Sequence, residues 1–189
     1  MTRAWGDAFI RACRPRSILT GSEWADEFRF VAPGTTPEPG PWRTDRVPYL
    51  KEPLDVATDS ETEFIVMMTS SQVGKSEWLL CVMGYYVDQE PAPQLMLQPT
   101  VEAAESFSKE RIDPTFRYSP GLQGKLEEGQ DGRGSSRKSS TTIRMKHYAG
   151  GYLALVGANS PAGLASRPIR IMMADHRSHH RRLILRSHL

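Results

Sequence analysis

The chain has 189 residues, with 24 Lys and Arg, 22 Asp and Glu, and 39% hydrophobic residues. That suits one domain with a core of its own, and the absence of a long unbroken apolar window excludes a membrane-spanning helix. The net charge of +2 also excludes a uniformly basic nucleic-acid module, because residues 176–189 hold Arg177, Arg181, Arg182 and Arg186 without an acid and leave 20 bases against 22 acids elsewhere.

The first residues, MTRAWGDAFIRACRPRSIL, lack the sustained apolar core of a secretory signal. Cys13 and Cys81 form neither a disulfide framework nor a zinc spacing, so a cytoplasmic chain in a reducing compartment is expected. Thr20-Gly21-Ser22-Glu23 has capping-box spacing and predicts a short helix over WADEFRF, with Trp24, Phe28 and Phe30 turned inward. Residues 31–48 are rich in proline and predict an extended arm with neither helix nor strand. A helix weakened by Pro53 is expected over 49–58.

EFIVMM, residues 63–68, predicts a strand buried on both faces. A polar loop follows, then a helix over 76–89 with Trp78, Leu79, Val82, Tyr85 and Tyr86 on one broad face. QLMLQ, residues 94–98, is a second strand, and Thr100 caps a helix that Pro114 ends or bends. Residues 119–140 read as a mobile loop. Residues 141–147 and 151–156 are expected to pair through the turn Ala149-Gly150-Gly151. IRIMMA, 169–174, is a further buried strand that ends at Asp175. This alternation predicts an α/β fold with a mostly parallel sheet flanked by helices.

Thr69 to Ser76, TSSQVGKS, fits the phosphate-loop pattern G-x-x-x-x-G-K-[ST] except that Thr69 replaces the first glycine. A predicted strand precedes it and a predicted helix follows, as that chemistry requires. Gly74 lets the backbone approach phosphates, where N–H groups and the helix start offer positive charge. Lys75 can reach β/γ-phosphates and Ser76 can ligate Mg²⁺. Asp175, at the end of a buried strand, supplies a metal-side acid. Residue 176 is His rather than a water-activating glutamate, and no acid follows Asp175.

From Trp24 to Asp175 the chain resembles the N-terminal ATPase domain of phage terminase large subunits of the GpA type. The resemblance rests on SEWADEFRF, PEPGPWRTDRVPYLKEPLD, TSSQVGKSE, LQPTVEAAESFSKERIDPTFR and, most specifically, GGYLALVGANSPAGLASRPIRIMMAD. It implies a P-loop NTPase fold of the RecA/ASCE kind and a motor that uses ATP and Mg²⁺ to move double-stranded phage DNA into a capsid. It further implies a small terminase subunit and a portal as partners, no membrane, and the cytoplasm of a bacterial host. By the same likeness Lys75 and Asp175 are the catalytic residues. Ser70, Ser71, Gln72, Val73, Gly74, Lys75 and Ser76 cradle the nucleotide, and Ser76 and Asp175 hold Mg²⁺. Tyr49, with Arg43 or Arg46, lies near the adenine or merely packs on the sheet. Asn159, Ser160 and Arg167 sense nucleotide or form a structural turn.

Domain boundaries follow: residues 1–48 as helix and arm, 49–175 as a partial ATPase domain, and 176–189 as an aberrant Arg/His tail. Relatives are several times longer and carry a nuclease domain. The tail is therefore expected to be a frameshift or truncation product, leaving an incomplete sheet and impaired hydrolysis. Metal binding by His176, His179 and His180, or phosphate contacts by the tail arginines, are the lesser readings. A non-catalytic interaction module, an inert prophage remnant and a helicase-like ATPase are the alternatives for the whole chain.

Overall fold

In the computed structural model, residues 19–70, 72–127, 142–159, 168–176 and 181–186 are described. Residues 1–18, 71, 128–141, 160–167, 177–180 and 187–189 lie outside them, among them Ser71, Ser160, Arg167, His179 and His180.

Helix α1 spans Gly21–Phe28 and starts as its sequence predicts. Thr20 Oγ1 accepts from the Glu23 N–H, and Glu23 Oε2 accepts from the Thr20 N–H at 2.9 Å, so two donors that the helix start leaves unpaired are satisfied. Trp24 is wholly buried, and its indole N–H donates to Asp88 Oδ2 at 2.8 Å. Burial works to raise the Asp88 pKa, but hydrogen bonds from Lys125, Trp24 and Gln89 outweigh it and hold the carboxyl below its ordinary value. Phe28 packs against the core from a half-buried position, and Phe30 stacks on Tyr118.

The proline-rich arm holds more structure than expected. Strands β1, Phe30–Val31, and β2, Gly40–Pro41, pair antiparallel. Two 3₁₀ turns, Thr44–Arg46 and Pro48–Leu50, lead into helix α2, Lys51–Thr58. Proline removes only its own donor, and short edge pairs and turns tolerate that loss. Pro53 is harmless because it falls in the first turn of α2, where N–H groups have no helical partner anyway.

A second sheet has six strands among the described residues. They are β3 (Phe64–Met67), β4 (Gln94–Gln98), β5 (Met145–Tyr148), β6 (Gly151–Gly157), β7 (Ile171–His176) and β8 (Arg181–Arg186). Their order is β3-β8-β7-β4-β6-β5. β4 pairs parallel with β6 and β7, whereas β3·β8, β7·β8 and β5·β6 are antiparallel. The sheet is therefore mixed. β3, β7, β4 and β6 still share one direction, because two antiparallel steps through β8 restore it. The departure from a mostly parallel sheet comes from a hairpin at one edge and from β8, drawn from the Arg/His segment and inserted between two parallel-running neighbours.

β3 is an edge strand rather than one buried on both faces: Phe64 is 53% and Val66 46% exposed, while Met67 is buried. A four- to six-residue apolar run carries no mark that separates an edge from a centre. Helix α3, Lys75–Asp88, is buried all round from Glu77 to Asp88, not on one face. It lies between the sheet and α1, whose Trp24 comes so close that a Cβ on Gly84 would sit 2.4 Å from the indole. On the α3 side of the sheet, Met96, Leu153, Leu155, Ile171 and Met173 join the main core. On the other face Leu95, Ala154 and Val156 form a smaller cluster.

Pro114 does not end the next helix. α4, Val101–Phe107, is capped by Thr100 and passes through a π turn, Ser108–Ile112, into α5, Asp113–Tyr118. Pro114 is second in α5, and the wider turn ahead of it relieves the carbonyl clash a proline would otherwise impose. Residues 119–127 are tied down rather than loose: Ser119 and Leu122 are buried, and Glu127 bonds the His147 carbonyl at 2.9 Å.

Cys81 lies inside α3, and burial pushes its thiol up to about 12, with Arg29 only partly opposing. The reactive thiolate is then scarce at pH 8. In a Cys13→Ser background, iodoacetamide is expected to label Cys81 only as fast as the chain unfolds, and acceleration by urea would show this. Complete labelling within minutes under native conditions would contradict the burial.

Candidate nucleotide site

The loop after β3 turns sharply into α3. Gln72 has φ +62° and Gly74 φ +79°, both in the left-handed region. That conformation suits glycine and strains other residues, so Gly74 sits where the turn needs it. Gly74 is the N-cap of α3, and its carbonyl accepts from the Trp78 N–H at 2.9 Å. Lys75 Nζ donates to the Ser70 carbonyl and so folds back across the loop. Ser76 is half-buried in the first turn of the helix. The start of a 14-residue helix, with the positive end of its dipole, thus meets the loop.

The arm reaches the same place. Tyr49 is 55% exposed, and its hydroxyl donates to the Val73 carbonyl at 3.3 Å. Leu50 packs beneath Gly74. Arg46 instead pairs with Glu38 within the arm at 2.7 Å, and Arg43 is exposed. Asn159 stands at the carboxyl end of β6, with its Oδ1 near Gly157.

The sheet places Asp175. Met67, the last residue of β3, and Asp175 in β7 both pair with Arg182 of β8. The root of the loop and Asp175 are therefore level at one sheet edge and two strands, about 10 Å, apart. This is the carboxyl edge of the parallel-running strands, where open α/β sheets bind ligands.

Glu77 is the residue that sequence reasoning missed. It follows Ser76 directly, is buried, and takes Arg29 Nη2 at 2.8 Å and Arg111 Nη1 at 3.1 Å. Arg29 also donates to Ser119 Oγ at 3.2 Å and to the Phe30 carbonyl. The signal was an acid in the first turn of a helix otherwise apolar all round, since a buried charge must be paired. The identity of its partners was not legible, because they come from the end of α1 and from the π turn.

The phage terminase large subunit gpA, ATPase domain, family matches residues 36–182. The chain belongs to this family. The gpA-family match covers the arm from Thr36, the loop and β7, and runs seven residues past Asp175 into the segment that the sequence reading had set apart from the family. The "Terminase, large subunit" of Enterobacteria phage P21 is 28% identical over 104 residues, 55% of this chain. That of Escherichia phage lambda is 28% identical over 103 residues, 54% of this chain. The aligned part is 16% of each relative's length. No solved structure matches. No helix among the described residues is long and apolar enough to cross a membrane.

Proposed function

We propose that this chain binds ATP with Mg²⁺ at the loop Thr69–Ser76. It belongs to the ATP-driven part of a machine that moves double-stranded phage DNA into a capsid, alongside a small terminase subunit and a portal, in the host cytoplasm. The observation that supports this best is the common pairing of Met67 and Asp175 with Arg182, which sets the loop root and the acid at one sheet edge.

The donor set suits the ligand. Among the described residues no group of three His, Cys, Asp or Glu is gathered as a metal cage. Mg²⁺ shared with phosphates needs none, since it takes one or two protein oxygens and keeps waters. Ser76 and Asp175 would supply those oxygens, and Asp175 has the two-residue parity of Ile171 and Met173, which join the core on the α3 side. The metal, when bound, neutralises phosphate charge. Lys75 exchanges the Ser70 carbonyl for phosphate oxygens, which raises the strength of its hydrogen bond by pairing it with an anion. Gly74 and the first N–H groups of α3 hold the phosphates without cost in reorganisation. Tyr49, fixed to the loop by its hydroxyl and exposed along its ring, offers a stacking surface for the base. With His176 in place of a glutamate, hydrolysis is expected to be slow, since losing a general base removes about 10²–10⁴-fold in rate.

Thermal and urea unfolding with ATP and Mg²⁺ test the reading. At 100 times the dissociation constant, ATP stabilises the native chain by about 2.7 kcal/mol. Lys75→Ala is expected to abolish that gain and leave the unliganded stability unchanged. Full stabilisation by ATP in Lys75→Ala would sink the proposal.

A further inference from the structure

Gln98 ends β4 at the same sheet edge, is 3% exposed, and its Nε2 has no hydrogen-bond partner. A buried amide donor without an acceptor is rare in native proteins, because its lost hydration goes unreplaced. Elsewhere, unpaired atoms on Arg29 and Gln94 belong to side chains bonded through another atom, and the unpaired indole N–H of Trp78 lies on α3 rather than on the sheet. Gln98 differs from these by standing where the sheet binds ligands.

Its height along the fold is set by Gln94, four residues earlier and of the same parity. Gln94 Nε2 donates to the Met83 carbonyl in α3 at 3.2 Å. Four strand residues advance about 13 Å toward the carboxyl edge. The same 13 Å back along antiparallel α3 is about eight or nine residues at roughly 1.5 Å each. Counted from Met83, that arrives at Gly74 and Lys75. Gln98 is therefore level with the start of the phosphate-loop helix, on the face of the sheet that α3 covers. It is also level with Asp175, since Leu97 pairs with Ala174. On its far side the Gln98 carbonyl accepts from the Ala158 N–H at 2.8 Å, and Nε2 is the buried donor left over.

We propose that Gln98 reads the terminal phosphate of the bound nucleotide, its Nε2–H donating to a γ-phosphate oxygen, so that the site distinguishes a nucleoside triphosphate from a diphosphate. This rests on the nucleotide reading of the loop. The strand order supports it. A phosphate chain rooted at the β3–α3 loop and running toward Asp175 meets β4 next after β7. An anionic oxygen there supplies the acceptor that the protein lacks. Gln98 thus acts as a specificity residue at the end of the site opposite Tyr49.

Calorimetric titration of the full chain with ADP and with the non-hydrolysable triphosphate AMP-PNP, each with Mg²⁺, tests the inference without any need for turnover. The wild type is expected to prefer AMP-PNP. Gln98→Ala should weaken AMP-PNP about tenfold or more and leave ADP unchanged, as fits one hydrogen bond to a charged group. Gln98→Glu keeps the shape and places an acid before the phosphate, so it should weaken AMP-PNP further, again with ADP unchanged. Melting of each unliganded variant shows that the fold is intact. Equal loss of both nucleotides, no loss of either, or a wild type that binds ADP and AMP-PNP alike would overturn the assignment. Lys75→Ala separates the two levels. If it leaves both affinities intact, the nucleotide reading itself falls. If it abolishes both while the Gln98 variants bind as wild type does, only the role of Gln98 falls.

Discussion

Replacing Ile184 by proline is expected to uncouple β3, the strand that leads into the loop Thr69–Ser76, from the rest of the sheet. Ile184 is in the middle of β8 and pairs with Ile65 of β3 on one side and Met173 of β7 on the other. Among the described residues β8 is the only sheet neighbour of β3. Proline removes a ladder donor, leaves a carbonyl across the strand unpaired, and forces its ring against a paired backbone. In a central strand these together cost about 3 kcal/mol or more. A domain of this size has only about 5–15 kcal/mol of stability, so the urea midpoint should fall sharply. Stabilisation by ATP should fall with it, because the loop loses its root. Ile184→Val keeps the ladder and should cost no more than about 1.5 kcal/mol. A proline variant that melts like the wild type would show that β8 does not hold the sheet together.

That experiment also bears on how the Arg/His segment is read. Composition set residues 176–189 apart, and Leu183-Ile184-Leu185 between arginines is too short a signal to name a strand. Pairing is a non-local property: β8 exists because β3 and β7 leave one strand's width between them, and no window of sequence contains that gap. The same limit explains β3, whose apolar run looked central and proved to be an edge. Local signals fared better. The Thr20 capping box, the Thr100 cap, the hairpin at Ala149-Gly150 and the strand–loop–helix around Gly74 each depend on neighbours within a few residues, and each is present. The π turn before Pro114 was not legible, because proline reads as a stop unless a wider turn precedes it. In the candidate site, Lys75, Ser76 and Tyr49 were singled out by motif and resemblance, and the fold brings them together around one loop. Glu77 and Gln98 were passed over because each matters through partners, or the lack of one, supplied by distant elements.

The second large effect is expected at Arg29. Its side chain is 1% exposed and Glu77's is 10%, so the pair is desolvated, and Arg111 is the remaining counter-charge. Arg29→Met leaves the carboxylate held from one side only. Breaking a buried pair by removing one partner typically costs about 3–5 kcal/mol, and with Arg111 still in place the lower end, about 3 kcal/mol, is expected. The loss falls on the first turn of α3, one residue beyond Ser76, so ATP affinity should weaken beyond what reduced stability alone explains. The double variant Arg29→Met/Glu77→Gln removes the unpaired charge, and most of the stability should return. The two substitutions should therefore be strongly non-additive in a double-mutant cycle. Cys81 provides a second readout on the same helix, because it reacts only once the core has opened and Arg29 no longer bears on its thiol. Its labelling should accelerate in Arg29→Met and slow again in the double variant, because each follows how often the core opens. Additive effects, or unchanged labelling in Arg29→Met, would mean that the ion pair does not hold the start of α3 and that packing around Trp24 and Trp78 does so instead.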